Sequence, residues 1–261
     1  MALKNGGVID PEVIDEYIAF DGYKATRKGM PDDLAIQMPY AKKAVESLGF
    51  TVIEKPGYEA DDILGTLAKM AAGEGVEAYI LTGDRDALQL ISDRVHVLLV
   101  TNTDTVDFDC ARFHEKYGVA CNQFVDVKAL MGDTADNIPG VPKVGEKTAT
   151  DLMVTYGSIE AIYEHVEEIT KKSIRESLIA NRELADLSKV LATINIDADI
   201  DFSYEKAKID NLFTDEAYEK FKQLEFKNML SRFDVKEKKT EFVYEIAEVK
   251  NANDAKQIFE K

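Results

Sequence analysis

Three short apolar, β-branched runs between residues 50 and 101 predict strands of one sheet. The runs are FTVI at 50–53, AYILT at 78–82 and VHVLLVT at 95–101. Helical segments separate them, ADDILGTLAKMAAG before the second run and RDALQLISD before the third. Strands that alternate with helices over short connections are typical of an α/β domain with a parallel sheet. We therefore expect a parallel central sheet flanked by helices.

Helical periodicity dominates much of the remaining chain. In PDDLAIQMPYAKKAVESLG, apolar residues recur at spacings of three and four after two acids, which predicts an amphipathic helix that stops at Gly49. From about residue 108 onward the pattern predicts successive helices, including EKTATDLMVTYG, SIEAIYEHVEEI and one long helix over KSIRESLIANRELADLSKVLATI. A further strand is expected at 199–203, followed by a helix through DEAYEKFKQLEF.

These elements predict two domains and a tail. An α/β core is expected over residues 1–107, a helical subdomain over 108–235, and a linker with the start of another domain over 236–261. No apolar stretch approaches the roughly 18 to 20 residues that cross a bilayer, and the start of the chain lacks a signal-peptide pattern. We expect a cytoplasmic monomer that does not bind membranes. Cys110 and Cys121 form no CxxC pattern and are predicted to be reduced structural thiols.

Clustered carboxylates are the strongest chemical feature of the sequence. Three clusters lie at junctions between an apolar run and a turn, and their members are Glu59, Asp61, Asp62, Asp84, Asp86, Asp133 and Asp136. Acids this dense repel one another unless cations lie among them, and hard divalent cations such as Mg²⁺ prefer oxygen ligands. Two such ions about 3.5–4 Å apart stabilise both the attacking and the leaving oxygen of a phosphodiester. Metal-assisted phosphoryl transfer is therefore the first hypothesis.

The first two clusters also have an ordinary structural explanation. Acids in the first turn of a helix interact favourably with its dipole, which explains part of the first cluster. Asp84 suits a helix N-cap, although ligands of α/β proteins also bind at the carboxyl ends of strands. Asp133 and Asp136 would share one face of a helical turn. Capping and metal binding both stay open for these acids.

The segment NIPGVPKVGEKTA predicts a turn that binds phosphate. Glycines at 140 and 145 permit tight turns before a helix that begins at Glu146, and helix N-termini bind phosphate groups. Two lysines add local positive charge. The arrangement favours a helix-hairpin-helix that binds a nucleic-acid backbone, and a glycine-capped helical hairpin is the alternative. Its candidate contacts are Gly140, Val141, Lys143, Gly145, Lys147 and Thr148.

The overall charge argues against a broad nucleic-acid surface. The chain carries 49 acidic and 32 basic side chains, a net charge of −17, so DNA binding must rely on metal ions and local basic segments. One such segment is GYKATRKG, where an aromatic ring lies among cations, as stacking on a base and binding of phosphates require. Its residues are Tyr23, Lys24, Arg27 and Lys28. A solvated basic loop is the alternative.

Five segments, taken in order, resemble the 5′–3′ exonuclease (flap endonuclease) family in the form of the 5′ nuclease domain of bacterial DNA polymerase I. They are GYKATRKGMP, PGYEADD, ILTGDRD, LMGDTADNIPGVPKVGEKTA and KFKQLEFKNML, within residues 22–235. The resemblance implies a PIN-like 5′ nuclease fold and flap cleavage in DNA replication and repair. It also implies that the partner is DNA with a 5′ flap or a junction between single strand and duplex. Residues 236–261 resemble the linker and the start of the next domain of that polymerase, and whether a polymerase domain follows stays open.

The same resemblance implies roles for individual residues. The ligands of a first Mg²⁺ would be Glu59, Asp61 and Asp62, and those of a second would be Asp84, Asp86, Asp133 and Asp136, with Mn²⁺ able to substitute. Lys24 would touch the scissile phosphate, Tyr23 and Arg27 would place the 5′ strand, and K⁺ would lie at the hairpin. The family's N-terminal strands and two further acids do not match residues 1–21, so we expect the first ion to bind weakly.

Two alternative functions stay open at this point. The first is a catalytically impaired remnant of the same scaffold, which binds DNA junctions without cleaving them. The second is a small-molecule phosphatase, which shares clustered aspartates. A phosphatase would explain neither the hairpin nor the YKATR segment, so the DNA-junction binder is the stronger alternative.

Overall fold

The computed structural model describes residues 23–24 and 29–233. The tail predicted over 236–261, the segment 1–21, and Arg27 and Lys28 lie outside the described residues. Within the described part, the chain forms two compact units. The first consists of 23–24, 29–35 and 53–203, and the second consists of 36–52 and 204–233.

The sheet of the first unit is small and mixed. Strand β1 (Ala78–Thr82) pairs in parallel with β2 (Val95–Val100), which confirms the predicted strand–helix–strand arrangement. Strand β3 (Thr105–Phe108) pairs antiparallel with β2 and was not predicted. A tight turn joins the two strands, and the hydroxyl of Thr101 accepts a hydrogen bond from the N–H of Asp104 at 3.0 Å. With four residues, β3 is too short to give a clear alternating pattern.

Two of the predicted strands are wrong. Residues 50–53 and 199–203 are irregular, and no described strand lies beside either run. Side-chain contacts replace a ladder at both places: the Thr51 hydroxyl donates to the carbonyl of Lys206 at 3.4 Å, and Lys55 binds the carboxylate of Asp199 at 3.1 Å. A β-branched run forms a strand only where a neighbouring backbone completes its hydrogen bonds, because strand preference depends on context.

Helices form most of the rest of the first unit. Helix α2 (Ala60–Gly73) precedes β1, and a 3₁₀ helix (Arg85–Leu90) links β1 to β2. After β3 come α3 (Cys110–Tyr117), a 3₁₀ turn (Cys121–Gln123), α4 (Phe124–Met131), α5 (Glu146–Tyr156), α6 (Ile159–Glu164), a second 3₁₀ turn (Val166–Glu168), α7 (Lys172–Ala180) and α8 (Arg182–Ala192). Among the described residues, no helix is long and apolar enough to span a membrane.

The long helix predicted over 172–194 is instead the pair α7 and α8, broken at Asn181. The side-chain amide of Asn181 donates to the carbonyl of Ser177 at 2.8 Å, an oxygen that the backbone N–H of residue 181 would bind in a continuous helix. Local side-chain bonds of this kind compete with helical backbone bonds. The sequence pattern alone did not reveal this competition.

Helix α4 lies at the centre of the first unit. It packs against α5 and α8, and six of its eight residues are buried, so hardly any of its surface faces solvent. The sequence FVDVKALM is apolar around most of its circumference, which is typical of a fully enclosed helix. Phe124 at its start packs edge-to-face against Phe113, with ring centroids 5.4 Å apart. This packing fixes α4, and with it the turn that follows Met131.

The second unit is a small helical cluster. It contains most of α1 (Asp32–Ser47), together with α9 (Tyr204–Ala207), α10 (Asp215–Gln223) and α11 (Lys227–Leu230). Its buried residues are Ala44, Ala217, Phe221 and Phe233. The predicted amphipathic helix is confirmed as α1, and Gly49 follows it with φ +86°. On its apolar face Leu34, Met38 and Val45 stay exposed, which the periodicity did not predict.

Candidate metal and nucleic-acid site

The first acid cluster opens α2, as the sequence predicted. Glu59 is the N-cap, and Asp62 accepts the N–H of Glu59 through Oδ2 at 3.0 Å. The other oxygen of Asp62 accepts the N–H of Asn195 at 2.9 Å. Asp62 therefore caps the helix and also fixes the segment that follows α8. Glu59 and Asp62 therefore both have structural roles at the start of the helix.

Asp61 shows the electrostatic strain of a crowded acid site. Burial raises the pKa of its carboxyl, and the nearby charges of Asp84, Glu59 and Asp86 raise it further. Like charges within a few ångströms disfavour ionisation, and perturbed groups of this kind cluster at functional sites. The first and second acid clusters therefore lie within electrostatic reach of each other.

The second cluster directly follows β1, at the carboxyl end of that strand. The Thr82 hydroxyl accepts the N–H of Asp84 at 3.0 Å, and the Asp84 carboxylate accepts the N–H of Asp86 at 2.9 Å. Asp84 is thus the N-cap of the 3₁₀ helix, as its sequence context allowed. Asp86 points to a different partner, the ammonium group of Lys128 in α4.

Lys128 joins the second and third clusters and was missed by the sequence analysis. Its side chain is only 4% exposed, and besides Asp86 it binds the carboxylate of Asp133 at 3.0 Å. A lysine is rarely buried without a partner, so its position inside the apolar helix FVDVKALM was the available signal. One ammonium group therefore serves two carboxylates from separate parts of the chain.

Lys128 compensates the charges of its two carboxylates unequally, and the pKa values of the three groups show this. Burial opposes the ammonium charge, but the hydrogen bonds with Asp86 and Asp133 outweigh it and raise the pKa of Lys128. Burial also raises the pKa of Asp86 despite the ammonium. At Asp133 the effect of burial is outweighed by Lys128 and by backbone N–H groups, including that of Ala135, so its pKa is lowered. Asp86 is therefore the less fully compensated of the two acids.

The third cluster lies in a tight turn, and the predicted helical turn is wrong. Asp133 and Ile138 exchange two backbone hydrogen bonds at 2.9 and 2.8 Å, forming an antiparallel bridge. Gly132, with φ +74°, ends α4 before this turn. The Asp133 side chain then accepts the N–H of Ala135 at 2.8 Å, a local bond that competes with helix formation. The turn leaves Asp136 only 8% exposed.

Tyr23 and Lys24 connect the first cluster to the third. The N–H of Lys24 donates to the carbonyl of Asp136 at 2.9 Å, and the Lys24 ammonium binds the carboxylate of Glu59. The Tyr23 hydroxyl lies 3.5 Å from the same carboxylate. Burial opposes the charge of Lys24, but its hydrogen bonds with Glu59 and Tyr23 raise its pKa overall. Both residues therefore lie at the acid site.

The donors suit a divalent cation, although they do not form one cage. Within the described residues, no group of three or more His, Cys, Asp or Glu side chains is arranged to hold a metal ion. The available donors are carboxylate oxygens, the ligands that Mg²⁺ and Mn²⁺ prefer. Between Asp86 and Asp133 a cationic group is already present, the ammonium of Lys128. Because these oxygens already accommodate one positive charge, their chemistry fits a bound cation.

The hairpin between α4 and α5 is defined by close approach of its backbone. Gly140 has φ +62°, and a Cβ atom added there would lie 2.3 Å from the nitrogen of Gly132. The N–H of Gly140 donates to the Ser188 hydroxyl at 2.9 Å, and the N–H of Val141 donates to the carbonyl of Leu130 at 2.8 Å. Glycine at 140 is therefore required by the shape of the turn.

The hairpin places its valines and lysines in opposite environments. Val141 and Val144 are buried in the core, whereas Lys143 and Lys147 are exposed. Helix α5 begins at Glu146 after the N-cap Gly145, as predicted, and the glycine supplies no side-chain cap. The first N–H groups of a helix have no partner within the helix and can bind anions. Contact of these groups, and of the partly exposed Thr148, with DNA stays a prediction.

Two family models match consecutive parts of the chain. Residues 16–118 match the model described as 5′-3′ exonuclease, N-terminal resolvase-like domain. Residues 119–215 match the model described as 5′-3′ exonuclease, C-terminal SAM fold. Together these matches contain all the acid clusters and the hairpin.

Sequence relatives come from bacterial DNA polymerases. The chain is 42% identical over 222 residues to DNA polymerase I of Caldicellulosiruptor bescii, which covers 84% of this chain and 26% of that protein. It is 39% identical over 238 residues to the thermostable DNA polymerase I of Thermus thermophilus, covering 89% of this chain and 28% of that protein. The chain thus spans about a quarter of the length of these relatives.

Solved structures share the fold at lower sequence identity. A crystal structure of T5 D15 protein with metal ions matches with a TM-score of 0.57 and 23% identity, covering 69% of each chain. The catalytic core of Rad2 in complex with a DNA substrate matches with a TM-score of 0.52 and 14% identity, covering 80% of this chain and 69% of that one. At these identities the likeness shows the fold, a resolvase-like domain followed by a helical SAM-like region.

Proposed function

This chain belongs to the 5′–3′ exonuclease family, and on that premise we propose that it is a metal-dependent nuclease that cleaves 5′ flaps and 5′ ends of DNA. The observation that carries the proposal is the meeting of three acid clusters from distant parts of the chain, joined by Lys24 and Lys128. Structural acids would not need to meet, because each could cap its own helix or turn.

The proposed ions are two Mg²⁺, with Mn²⁺ as a substitute. One would be held by Glu59, Asp61 and Asp62, and the other by Asp84, Asp86, Asp133 and Asp136. Divalent ions bound to such oxygens lower the pKa of a water molecule and neutralise charge on phosphate oxygens. The raised pKa of Asp61 among other acids supports this assignment, since a cation would relieve the same repulsion.

The chain's own cations have separate tasks in this proposal. Lys24 approaches the scissile phosphate from the edge of the acid site, and Tyr23 and Arg27 orient the 5′ strand. Lys128 is a positioning residue, because it holds Asp86 and Asp133 together from inside α4. The Lys24 ammonium lies 4.8 Å from the centroid of the Tyr23 ring, which supports a joint role for the pair.

Duplex DNA is the proposed ligand of the hairpin. The exposed Lys143 and Lys147, with the uncapped start of α5, bind phosphates of the strand beyond the cleavage point, and K⁺ at hairpin carbonyls assists this contact. In the same proposal, the α/β core ends at residue 107 and the helical subdomain begins at residue 108. A polymerase domain follows a linker at 236–261. The DNA polymerase relatives, of which this chain covers about a quarter, support that last part.

Single-turnover cleavage of a labelled 5′-flap duplex tests the nuclease proposal. The parent chain in Mg²⁺ should cleave near the junction, excess chelator should stop the reaction, and Asp86→Asn should slow it by about 10²–10³-fold, since loss of one charge stabiliser has that effect. Exposed Glu183→Gln serves as the matched control and should keep the parental rate. Cleavage that persists in chelator, or is equal in parent and Asp86→Asn, would contradict the proposal.

A DNA-junction binder without catalysis is the second candidate. It is favoured by one observation: the described acids do not converge as one metal cage, and Lys24 and Lys128 already bind several of their oxygens. The same flap substrate distinguishes the two functions. Tight binding by fluorescence anisotropy with no cleavage in Mg²⁺ or Mn²⁺ would support the binder and refute the nuclease.

A further inference from the structure

The tip of the hairpin between α4 and α5 is a tight turn whose geometry does not favour a lysine. Pro142 and Lys143 are its two central residues, and the N–H of Val144 closes the turn by donating to the carbonyl of Val141 at 3.0 Å. Lys143 has φ +69°. Proline at the second position and a positive φ at the third are features of a type II turn, whose third position usually holds glycine or asparagine. The surrounding structure must therefore hold Lys143 in this left-handed backbone conformation.

A serine from α7 makes the contact that holds this turn. Ser177 is only 7% exposed, and its hydroxyl donates to the carbonyl of Pro142, which belongs to the central peptide of the turn. Type I and type II turns differ mainly by a flip of this central peptide. A flip to type I would give residue 143 the negative φ that most residues prefer, and would turn its side chain in another direction. The hydrogen bond from Ser177 therefore selects the turn in which Lys143 is left-handed.

A second serine, from α8, fixes the start of the same turn. Ser188 is fully buried, and its hydroxyl accepts the N–H of Gly140 at 2.9 Å. In one continuous helix the Cα atoms of Ser177 and Ser188 would lie about 16 Å apart. The backbone groups that they bind belong to residues 140 and 142, whose Cα atoms can be at most about 7 Å apart. The break at Asn181 between α7 and α8 therefore helps both serines to reach one short turn.

The ammonium group of Lys143 is available to bind an anion. The side chain is exposed, and no carboxylate of the described residues pairs with it. Lys55, Lys69 and Lys189, in contrast, each bind a carboxylate in this acidic chain. Glycine would suit the third position of the turn better if the turn served only the fold. An unpaired lysine in an unfavourable backbone conformation therefore points to a function of its side chain.

We propose that Ser177 is a positioning residue for DNA binding by the hairpin. It holds the peptide between Pro142 and Lys143 in the orientation that brings the Lys143 ammonium to a phosphate of duplex DNA, and Ser188 anchors the start of the turn. The inference deepens the proposed function and rests on the contact between hairpin and duplex proposed there. A hydrogen bond that only satisfied buried polar groups would stabilise the fold, but it would not decide how one lysine binds DNA.

Fluorescence anisotropy with a labelled blunt duplex tests the proposal, at several potassium chloride concentrations and in excess chelator so that no divalent ion contributes. Ser177→Ala should weaken binding about tenfold at low salt. It should also reduce the slope of log K against log salt concentration by about one unit, because one phosphate contact is lost. Ser177→Thr keeps the hydroxyl and should restore both values. The control is Ser158→Ala, which removes the N-cap of α6 and should keep the parental affinity and slope.

A double-mutant cycle separates positioning of Lys143 from general stabilisation of the hairpin. In Lys143→Gly the ammonium is absent, and glycine accepts either type of turn. Adding Ser177→Ala to that variant should therefore change duplex binding by less than about twofold. A loss of about tenfold in both backgrounds would show that Ser177 acts on the hairpin as a whole, and would contradict the proposal.

The remaining outcomes distinguish this inference from the proposed function. A parent chain that does not bind duplex DNA would overturn both. Binding that depends on Lys143 but is unchanged in Ser177→Ala would overturn the positioning role alone. If Ser177→Ala fails to fold, judged by circular dichroism, Ser177→Cys replaces it in both measurements, because a thiol is close in volume to the hydroxyl and only a weak donor.

Discussion

The third acid cluster and the hairpin adjoin each other in sequence, yet different forces build the acid site and the hairpin. The acid site is held by side-chain charges, with Lys128 buried between Asp86 and Asp133. The hairpin is held by backbone contact, with Gly140 so close to Gly132 that a methyl group would not fit. The acid site is therefore sensitive to changes of charge, and the hairpin is sensitive to changes of volume.

Because of this difference, the effects of changing charge and of changing volume can be tested separately. A substitution that keeps volume but removes charge should affect the acid site alone. A substitution that adds volume without charge should affect the hairpin alone. Four variants test this division, and they are ordered by their expected effect on the free energy of unfolding.

Lys128→Met should have the largest effect. It leaves two partly buried carboxylates without their shared cation, and breaking a buried ion pair on one side typically costs about 3–5 kcal/mol. Because a bound cation would replace the lost charge, Mg²⁺ should stabilise this variant more than the parent. Urea denaturation with and without Mg²⁺ measures both effects. Exposed Lys172→Met is the control, and a similar loss in the two variants would contradict the buried role of Lys128.

Gly140→Ala should follow, with a loss of about 2–4 kcal/mol from a left-handed backbone and a clash with the backbone of Gly132. The control is Gly145→Ala, since Gly145 has φ −96° and an added Cβ there meets no atom within 4 Å. That variant should stay within about 0.5 kcal/mol of the parent. Equal losses of unfolding free energy in the two variants would contradict the requirement for glycine at 140.

Lys24→Met should cost less, about 0.5–1 kcal/mol, because its partner Glu59 is 47% exposed and exposed ion pairs contribute little. The backbone hydrogen bond from residue 24 to Asp136 does not depend on the side chain and should persist. Thermal unfolding gives the stability change, and single-turnover flap cleavage gives the functional one. A loss of unfolding free energy as large as that of Lys128→Met would show that the two lysines contribute equally to stability.

Replacement of Lys143 and Lys147 together by Ala should leave the unfolding free energy within about 0.5 kcal/mol, because both side chains are exposed. Its effect should appear in duplex binding, where the dependence of log K on log salt concentration should lose about two units of slope. The control is the joint replacement by Ala of Lys171 and Lys172, which are also exposed. An unchanged slope in the hairpin variant would contradict its assignment to DNA.

Local patterns predicted well those features that depend on neighbouring residues. The apolar, β-branched runs AYILT and VHVLLV predicted β1 and β2, and the glycines of GVPKVGEK predicted the start of α5. Features that depend on distant partners were missed or wrong. The run at 50–53, for example, has no strand beside it in the described chain. The turn at 133–138 is an error of a different kind, because the Asp133 side chain bonds locally to the N–H of Ala135 in place of a helical turn.

Lys128 illustrates why the site could not be completed from sequence. Its two partners lie in a different helix and in the following turn, so no local spacing identifies the triplet. Its charge inside the apolar helix FVDVKALM was a signal that the sequence analysis did not use, and only the fold shows what it binds. The acid clusters were recognised because each is compact in sequence, and their meeting required the tertiary structure.

Helix α4 also links the acid site to the core of the first unit. Two residues before Lys128, Asp126 accepts the N–H of Ile159 at 3.1 Å and binds Lys189 at 2.8 Å. Loosening this enclosed helix would break both sets of ionic contacts at once. The amide hydrogens of Asp133 and Ile138, which pair across the turn, should therefore exchange with solvent mainly when the whole unit unfolds. The acid site thus has the lifetime of the domain core, even though its outer carboxylates face water.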